Sequence, residues 1–336
     1  MTIGLDNQQI ARDKLAILRI LADAPKPLGS KVIARLLDEG YGTLTSERTI
    51  RYHLGLMDEQ GLTIKVSRRD GRTITERGRE ELGDALVADK IGFVIDKIEL
   101  LAYQTTFDPR RLNGLVPINF SIFPEESFAE ACQAMAPVFK AGLCASHLVA
   151  VVRAGQRLNG PPVPDGCVGF ATVCSIIING TLLKAGIPMD SRFGGILQLR
   201  GGTPWRFTDI VQYSGSTLDP SEIFISGHKT SAAQAAKTGD GKIVANFREI
   251  PTAGMMTAER IIEHLQKAGI GGPLVLGEAS RPLCEIPVSL NKVGIVLSGG
   301  LNPVAAAIEA GIGTVNQAMS RVVDFRLLKS FWEIEP

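Results

Sequence analysis

The sequence lacks the short motifs that mark the common classes of enzyme. It contains no nucleophile elbow of the G-x-S-x-G kind, no H-E-x-x-H pair, no P-loop, and no G-x-G-x-x-G that opens a helix after a strand. It also shows no cluster of residues with metal-ligand spacing. These absences favour a protein that is not an enzyme and that needs no cofactor.

Cysteine and net charge are also scarce. The five cysteines are odd in number and form no CxxC pair, which argues against a disulfide framework and against a zinc ribbon. We therefore expect a reducing, cytoplasmic location. The formal net charge is only +1, with 36 basic and 35 acidic side chains. Any binding of nucleic acid must then be confined to a local patch.

Long apolar runs that could cross a membrane are not expected either. The amino terminus does not resemble a signal peptide, because charged residues at positions 6 and 12–14 interrupt this segment. Residues 166–183 carry no charge, but they include Gly, Thr, Ser and Asn. This mixture favours a buried strand that turns into a helix, so we expect no membrane association.

The stretch from Thr45 onward has the pattern of a recognition helix. Ile50, Leu54 and Met57 follow the spacing of a buried stripe. Two arginines and a tyrosine fall on the opposite face, as major-groove binding requires, although a solvated helix face is the simpler alternative. The predicted DNA contacts on this helix are Ser46, Arg48, Thr49, Arg51 and Tyr52.

A basic hairpin follows that helix directly. Leu62, Ile64 and Val66 alternate with polar residues, which predicts a strand with one buried face. Asp70-Gly71 is a strong turn signal. Between Gly61 and Thr73 the predicted DNA contacts are Lys65, Arg68, Arg69 and Arg72, against one acidic residue. With two helices before it, over residues 8–23 and from Ser30, this segment predicts a winged helix that binds double-stranded DNA.

The rest of the chain contains an internal repeat. Gly114, Asn119, Phe120, Pro124, Ala141 and Gly142 recur 127 positions later as Gly241, Asn246, Phe247, Pro251, Ala268 and Gly269. Residues 168–169 and 185–187 recur 125 positions later. The matches keep their order, so we predict two copies of one α/β unit, each with the order strand, helix, strand, strand, helix, related by a pseudo-two-fold axis.

The predicted fold class is therefore α/β (α+β), with an amino-terminal winged helix before a duplicated regulatory domain. The predicted division is residues 1–83 for the winged helix, 84–111 for a linker helix, 112–238 for the first copy and 239–336 for the second. The first copy has an extension, residues 217–241, that the second lacks. The apolar stripe of the linker predicts packing on the next domain, pairing in a homodimer, or both.

A small anion is the predicted ligand of the duplicated part. The loop Ser298-Gly299-Gly300, with Asn302 as a helix cap and Pro303 as the first helical residue, predicts free N–H groups that attract a carboxylate or phosphate. A plain strand-to-helix turn is the alternative. Polar residues predicted to line a pocket between the copies are Thr172, Ser175, Arg192 and Arg206, the arginines suiting a dicarboxylate.

Several segments together resemble a known family. These are the winged helix, the helix IGFVIDKIELLAY (residues 91–103), VGFATVCS (168–175), YSGSTLDPSEIF (213–224) and VGIVLSGGLNP (293–303). The chain resembles the NrpR-type nitrogen-regulatory repressors, with a winged helix of the ribonuclease R type. The resemblance spans nearly the whole chain.

The resemblance implies a homodimeric transcriptional repressor that binds palindromic operators of nitrogen-metabolism genes and is released by 2-oxoglutarate. Some family members carry two regulatory units or divide the roles between two proteins, so a second NrpR-type subunit is a possible partner. Two alternatives stay open. The α/β part could be a metabolic enzyme with an attached regulatory winged helix, or the winged helix could bind another protein.

Overall fold

The computed structural model describes residues 3–41, 46–67, 71–84, 93–271 and 274–335. These fall into two compact units. The first comprises residues 1–91 with 159–162, and the second comprises residues 92–158 with 163–336. Each unit is described by itself below.

The first unit is a winged helix, as predicted. Its elements, in chain order, are helices α1 (Ile3–Asp23), α2 (Ser30–Tyr41) and α3 (Glu47–Glu59), strands β1 (Thr63–Ser67) and β2 (Gly71–Ile74), and helix α4 (Glu76–Asp84). Ile50, Leu54 and Met57 of α3 have no exposed surface, which confirms the predicted buried stripe. They pack with apolar residues of the first two helices in one core.

The wing is an antiparallel hairpin extended by a third segment. Leu28 and Arg72 exchange two backbone hydrogen bonds of 2.9 Å each. Gly71, at φ +91°, has to be glycine, because a Cβ there would lie 2.2 Å from the carbonyl oxygen of Leu28. This close approach fixes the wing against the segment around Leu28 that precedes α2.

One expectation about the wing is wrong. Ile64 and Val66 were predicted to face the core, but they are 56% and 52% exposed. Among the described residues of the hairpin, only Leu62, Thr63 and Ile74, at its base, are buried. A two-stranded ribbon that extends beyond its core has solvent on both faces, so alternation alone does not select a buried side. The turn at residues 68–70 lies outside the described residues.

The second unit begins with helix α5 (Phe93–Gln104). It buries Val94, Ile98, Leu101 and Ala102. Its end lies so close to a later helix that a Cβ on Gly180 would be 2.3 Å from Thr105 Cβ. The described part of the predicted linker helix therefore packs within the second unit.

Two copies of a strand, helix, strand, strand, helix, strand unit follow. The first copy comprises β3 (Leu115–Pro124), α6 (Phe128–Lys140), β4 (Leu148–Arg153), β5 (Cys167–Val173), α7 (Ile176–Lys184) and β6 (Asp190–Arg200). After an insertion, the second comprises β8 (Gly241–Pro251), α10 (Met255–Lys267), β9 (Val275–Ala279), β10 (Lys292–Ser298), α11 (Asn302–Glu309) and β11 (Val315–Asp324). The prediction lacked the sixth element, the final strand of each copy.

The insertion, residues 203–238, contains strand β7 (Thr203–Gln212) and helices α8 (Pro220–Ser226) and α9 (Ala232–Thr238). It has no counterpart in the second copy, where β11 leads to the short strand β12 (Lys329–Ser330). It also begins earlier than the predicted extension, because β7 belongs to it.

The two copies exchange their final strands. The sheet orders are β7-β6-β8-β10-β9 and β11-β3-β5-β4-β12. Thus β6 of the first copy pairs antiparallel with β8 of the second, and β11 of the second pairs antiparallel with β3 of the first. Each five-stranded sheet contains strands from both copies, so the copies form one interlocked unit rather than two separable lobes.

Candidate DNA interface and buried polar junction

The face of α3 opposite its buried stripe is open to solvent. Arg48, Thr49 and Arg51 are exposed, and Tyr52 is 64% exposed. Ser46 caps the helix, because its hydroxyl accepts a hydrogen bond of 3.1 Å from the Thr49 N–H. The predicted helix contacts therefore share one accessible surface, which starts at a fixed helix end.

Arg51 is held by a weak surface ion pair. Its Nη2 lies 3.2 Å from Oε1 of Glu47, one turn earlier. That same carboxylate oxygen accepts a hydrogen bond of 3.0 Å from the Ser30 hydroxyl. Exposed pairs of this kind contribute only about 0.2–1 kcal/mol, so a DNA phosphate can replace Glu47 as the partner.

Arg72, one of the predicted DNA contacts, is engaged within the winged helix. Its Nε donates to Oδ2 of Asp58 at 2.7 Å, and its side chain is only 19% exposed. The Thr63 hydroxyl donates to the other carboxylate oxygen at 2.5 Å. Asp58, which the sequence reasoning missed, thus joins the end of α3 to both strands of the wing. Lys65 is exposed, whereas Arg68 and Arg69 lie outside the described residues.

Two asparagines at equivalent repeat positions lie at the junction of the copies. Asn119 donates to the Thr172 hydroxyl at 3.2 Å and accepts from the Met319 N–H at 3.0 Å. Asn246 donates to the Ser175 hydroxyl at 3.1 Å and accepts from the Tyr213 hydroxyl. Both amides are buried and joined to residues of the other copy or of the insertion. The structure therefore places Thr172 and Ser175 in two separate hydrogen-bonded pairs, each with one of these asparagines.

The glycine loop of the second copy is a packing contact, not the open helix start that was predicted. Helix α11 begins at Asn302, and the residue at the cap position is Leu301, which makes no side-chain cap. Asn302 instead bonds both backbone groups of Val244 at 2.9 Å and donates to the Ser298 hydroxyl at 3.2 Å. A Cβ on Gly300 would lie 2.3 Å from the Val173 carbonyl oxygen. Strand exchange brings the first copy against this loop and buries it.

The two arginines predicted for a ligand are engaged elsewhere. Arg192 donates to Oε2 of Glu249 at 2.9 Å and to the Ser289 hydroxyl at 3.1 Å, and so neutralises a fully buried carboxylate. Arg206 lies on the edge strand β7, where its guanidinium stacks 4.1 Å from the centroid of Trp205. The structure does not bring these side chains together with Thr172 and Ser175 in one contact network.

Arg248, which the sequence reasoning missed, is the buried cation at the junction. Only 1% of its surface is exposed, and burial lowers the pKa of its guanidinium. Nη1 donates to the Ser191 hydroxyl, which also accepts from Asn179 at 3.1 Å. Its guanidinium carbon lies 5.8 Å from the centroid of the Tyr213 ring. A sequence signal existed, because Arg248 interrupts the apolar strand IVANF before Glu249.

A second polar contact connects α5 with the insertion and the exchanged strand. At Ala318 of β11, the N–H donates to Glu222 at 2.6 Å and the carbonyl accepts from Lys97 at 3.3 Å. Asp219 caps α8 by accepting from the Ser221 and Glu222 N–H groups at 2.8 and 3.3 Å. Burial raises the pKa of both carboxyl groups. Helix α5 is thus tied to the insertion that covers the junction.

No helix within the described ranges combines the length and the apolarity that a bilayer span requires. Within those ranges, no three His, Cys, Asp or Glu side chains gather where a metal ion could be held. An accessible basic helix face on a winged helix, followed by a duplicated α/β unit, defines a DNA-binding transcription regulator.

Comparison with known proteins gives the family. Residues 91–330 match the family of NrpR regulatory domains NRD1 and 2, and residues 15–82 match the ribonuclease R winged-helix domain. The chain therefore belongs to the NrpR family of regulators.

Similar proteins include the global nitrogen regulator NrpRI of Methanosarcina mazei, which is 37% identical over 96% of this chain and 98% of its own length. The global nitrogen regulator NrpR of Methanococcus maripaludis is 31% identical over 92% of this chain, but the match spans only 53% of that relative. A crystal structure of a nitrogen repressor-like protein from Methanococcus jannaschii is similar at 26% identity and a TM-score of 0.60. It covers 71% of this chain and 98% of its own.

Proposed function

We propose that this chain is a cytoplasmic, homodimeric repressor of nitrogen-metabolism genes, and that a small anionic metabolite such as 2-oxoglutarate releases it from DNA. The observation that carries the proposal is the exposed Arg48, Arg51 and Tyr52 face of α3, on a chain of the NrpR family. The family match supports regulation in place of catalysis. A second NrpR-type subunit is a further partner consistent with relatives about twice as long.

The proposed dimer reads two half-sites of a palindrome. Each α3 lies in a major groove, and the two helices are about 34 Å apart, one turn of the duplex. If each protomer neutralises about four phosphates through α3 and the wing, the logarithm of the binding constant falls with the logarithm of salt concentration with a slope near −7. Bound effector shifts that spacing, with a coupling free energy of about 1–3 kcal/mol.

The test is fluorescence anisotropy with labelled promoter DNA from nitrogen-metabolism genes, over a series of salt concentrations. We expect Arg51→Ala to weaken binding of every sequence and to reduce the salt slope by about 1. Arg110→Ala is the matched control, because Arg110 is an exposed arginine of the second unit. Equal binding by wild type and Arg51→Ala, with both folded, would contradict the assignment.

A protein-binding winged helix is the second candidate, and one observation favours it. Ile64, Val66 and Tyr52 expose large apolar surfaces on this small module. In that case the full chain shows no salt-dependent retention of DNA, whereas Ile64→Ser reduces capture of a protein partner. The anisotropy series separates the two functions.

A further inference from the structure

The buried guanidinium of Arg248 has no carboxylate partner in the part of the chain that the structure describes. Among the residues that the structure describes, Arg248 forms no ion pair, and its Nε is buried without a hydrogen-bond partner. Asp219 is the acidic group that acts on it electrostatically, but that carboxylate is used as the cap of α8. A buried charge without a bonded counter-ion is costly, so the site is chemically incomplete for a cation.

The surroundings of Arg248 offer further groups of the kind that hold an anion. Ser191 and the Tyr213 hydroxyl are buried beside it, and Asn179 donates to Ser191. The Oδ1 atom of Asn179 is also buried without a partner, but an amide oxygen accepts hydrogen bonds and so adds nothing to the binding of an anion. The observation that indicates a missing anion is the buried Nε donor of Arg248, because buried polar groups are nearly always paired.

The repeat shows that this cluster occurs once per chain. The position of the first copy equivalent to Arg248 is Ser121, 127 residues earlier, so no guanidinium stands there. Tyr213 comes from the insertion, which the second copy lacks. Duplication alone would have produced two equivalent sites. The asymmetry shows that the cluster around Arg248 is specific to the second copy and does not come from the repeat.

We propose that Arg248, Tyr213, Ser191 and Asn179 form a buried binding site for one carboxylate group of a small organic anion, one molecule per chain. This inference rests on the proposed function in one respect only, namely that the bound anion is the effector. A planar guanidinium that offers two parallel N–H groups matches a carboxylate in a bidentate manner. The Tyr213 hydroxyl, which donates to Asn246 in this structure, would donate to the anion by exchanging that bond, and Asn179 orients Ser191.

Access to this site requires the insertion to move. A Cβ on Gly194 of β6 would lie 2.7 Å from Pro220 Cβ and 3.0 Å from the Tyr213 hydroxyl, so the insertion packs directly against that strand. The same insertion carries Glu222, which shares Ala318 with Lys97 of α5. An anion that repositions Tyr213 therefore acts on α5, the first described helix of the second unit.

The experiment is isothermal titration calorimetry of the full chain with 2-oxoglutarate, glutarate and inorganic phosphate. Wild type is expected to bind a dicarboxylate with a stoichiometry of one per chain, and to bind phosphate more weakly. Arg248→Gln is expected to lose at least about tenfold in affinity, since a hydrogen bond to a charged group is lost. The control is Arg206→Gln, which removes the guanidinium that stacks on Trp205. This variant is expected to bind the anions as wild type does.

Folding is checked for each variant by circular dichroism. If Arg248→Gln does not fold, Arg248→Lys and Tyr213→Phe replace it, because they keep the charge and the ring. Each is expected to weaken binding several-fold. Wild-type affinity in both, or no binding of any of the three anions by wild type, overturns the site. DNA anisotropy on the same samples separates the proposals. Salt-dependent DNA binding without anion binding rejects the site alone, and anion binding without DNA binding rejects the repressor function alone.

Discussion

The interlocking of the two copies predicts a large cost for one added methyl group at Gly300. The Cβ of an alanine there would lie 2.3 Å from the Val173 carbonyl oxygen and 2.5 Å from Nδ2 of Asn119. The first neighbour is backbone in the middle of the junction, and the second is bonded to Thr172, so neither moves freely. The backbone angle of Gly300 is one that alanine adopts, since its φ is not positive. The cost is therefore steric.

The magnitude follows from overpacking of a close-packed core, which costs about 1–3 kcal/mol. We expect the upper part of this range, because relief requires the two copies to separate. In a domain of 150–250 residues, 1 kcal/mol lowers the melting temperature by about 2–4 °C, so Gly300→Ala lowers it by roughly 5–10 °C. Differential scanning calorimetry measures this on the transition of the second unit.

Gly313→Ala is the matched control for Gly300→Ala. Gly313 lies in the same copy, its φ is not positive, and a Cβ there would meet nothing within 4 Å. It is expected to change stability by no more than about 0.5 kcal/mol. Equal melting temperatures for Gly300→Ala and wild type would refute the close approach of the copies, and with it the interpretation of the loop as a packing contact.

Three further predictions concern single side chains. Asp58→Ala leaves Arg72 and Thr63 without their shared carboxylate, so it is expected to destabilise the winged helix by about 1–3 kcal/mol. Thermal melts followed by circular dichroism measure this loss. Replacing the exposed neighbour Glu59 is the control and is expected to leave the stability unchanged. Burial raises the pKa of Asp219 above 3.8, so ionisation of this carboxyl group lowers the stability of the fold as the pH rises. Asp219→Asn keeps the helix cap and is expected to become more stable than wild type above about pH 4. A stability difference that stays constant from pH 3 to 7 would contradict this. Burial raises the pKa of Cys174 to about 11 and that of Cys144 to about 12, so in the native protein a thiol reagent at pH 8 modifies Cys167 and Cys284, which are partly exposed, before these two.

Local patterns were sufficient for part of this structure. The stripe of Ile50, Leu54 and Met57 defines the buried face of α3 because a helix repeats every 3.6 residues whatever it packs against. The repeat was visible because matched residues kept their order. The same spacing could not show that β6 and β11 change places, since strand pairing depends on residues distant in the chain.

The residues predicted to bind a ligand show more clearly that sequence patterns do not reveal tertiary contacts. Ser298, Gly299, Gly300 and Asn302 have the composition of an anion-binding loop, yet strand exchange places Val173 and Asn119 against them. Arg192 and Arg206 were chosen for their chemistry, but Glu249 and Trp205 engage them. Arg248 was overlooked because a charged residue in a strand is ordinarily exposed. What makes it notable is its burial, and burial depends on the tertiary structure.

Strand exchange also limits which elements of the second unit can move relative to one another. In two separable lobes, a ligand acts by closing a hinge, and the lobes move as independent bodies. Here β6 and β11 each belong to the opposite sheet, so displacement of one copy strains both sheets at once. Strand β7 of the insertion pairs with β6, but the segment after it, with Tyr213 and helix α8, belongs to neither sheet. This segment contacts Asn246 through Tyr213 and Ala318 through Glu222. Because Lys97 of α5 donates to the carbonyl oxygen of the same Ala318, we expect a displacement of α8 to reach α5 through this residue.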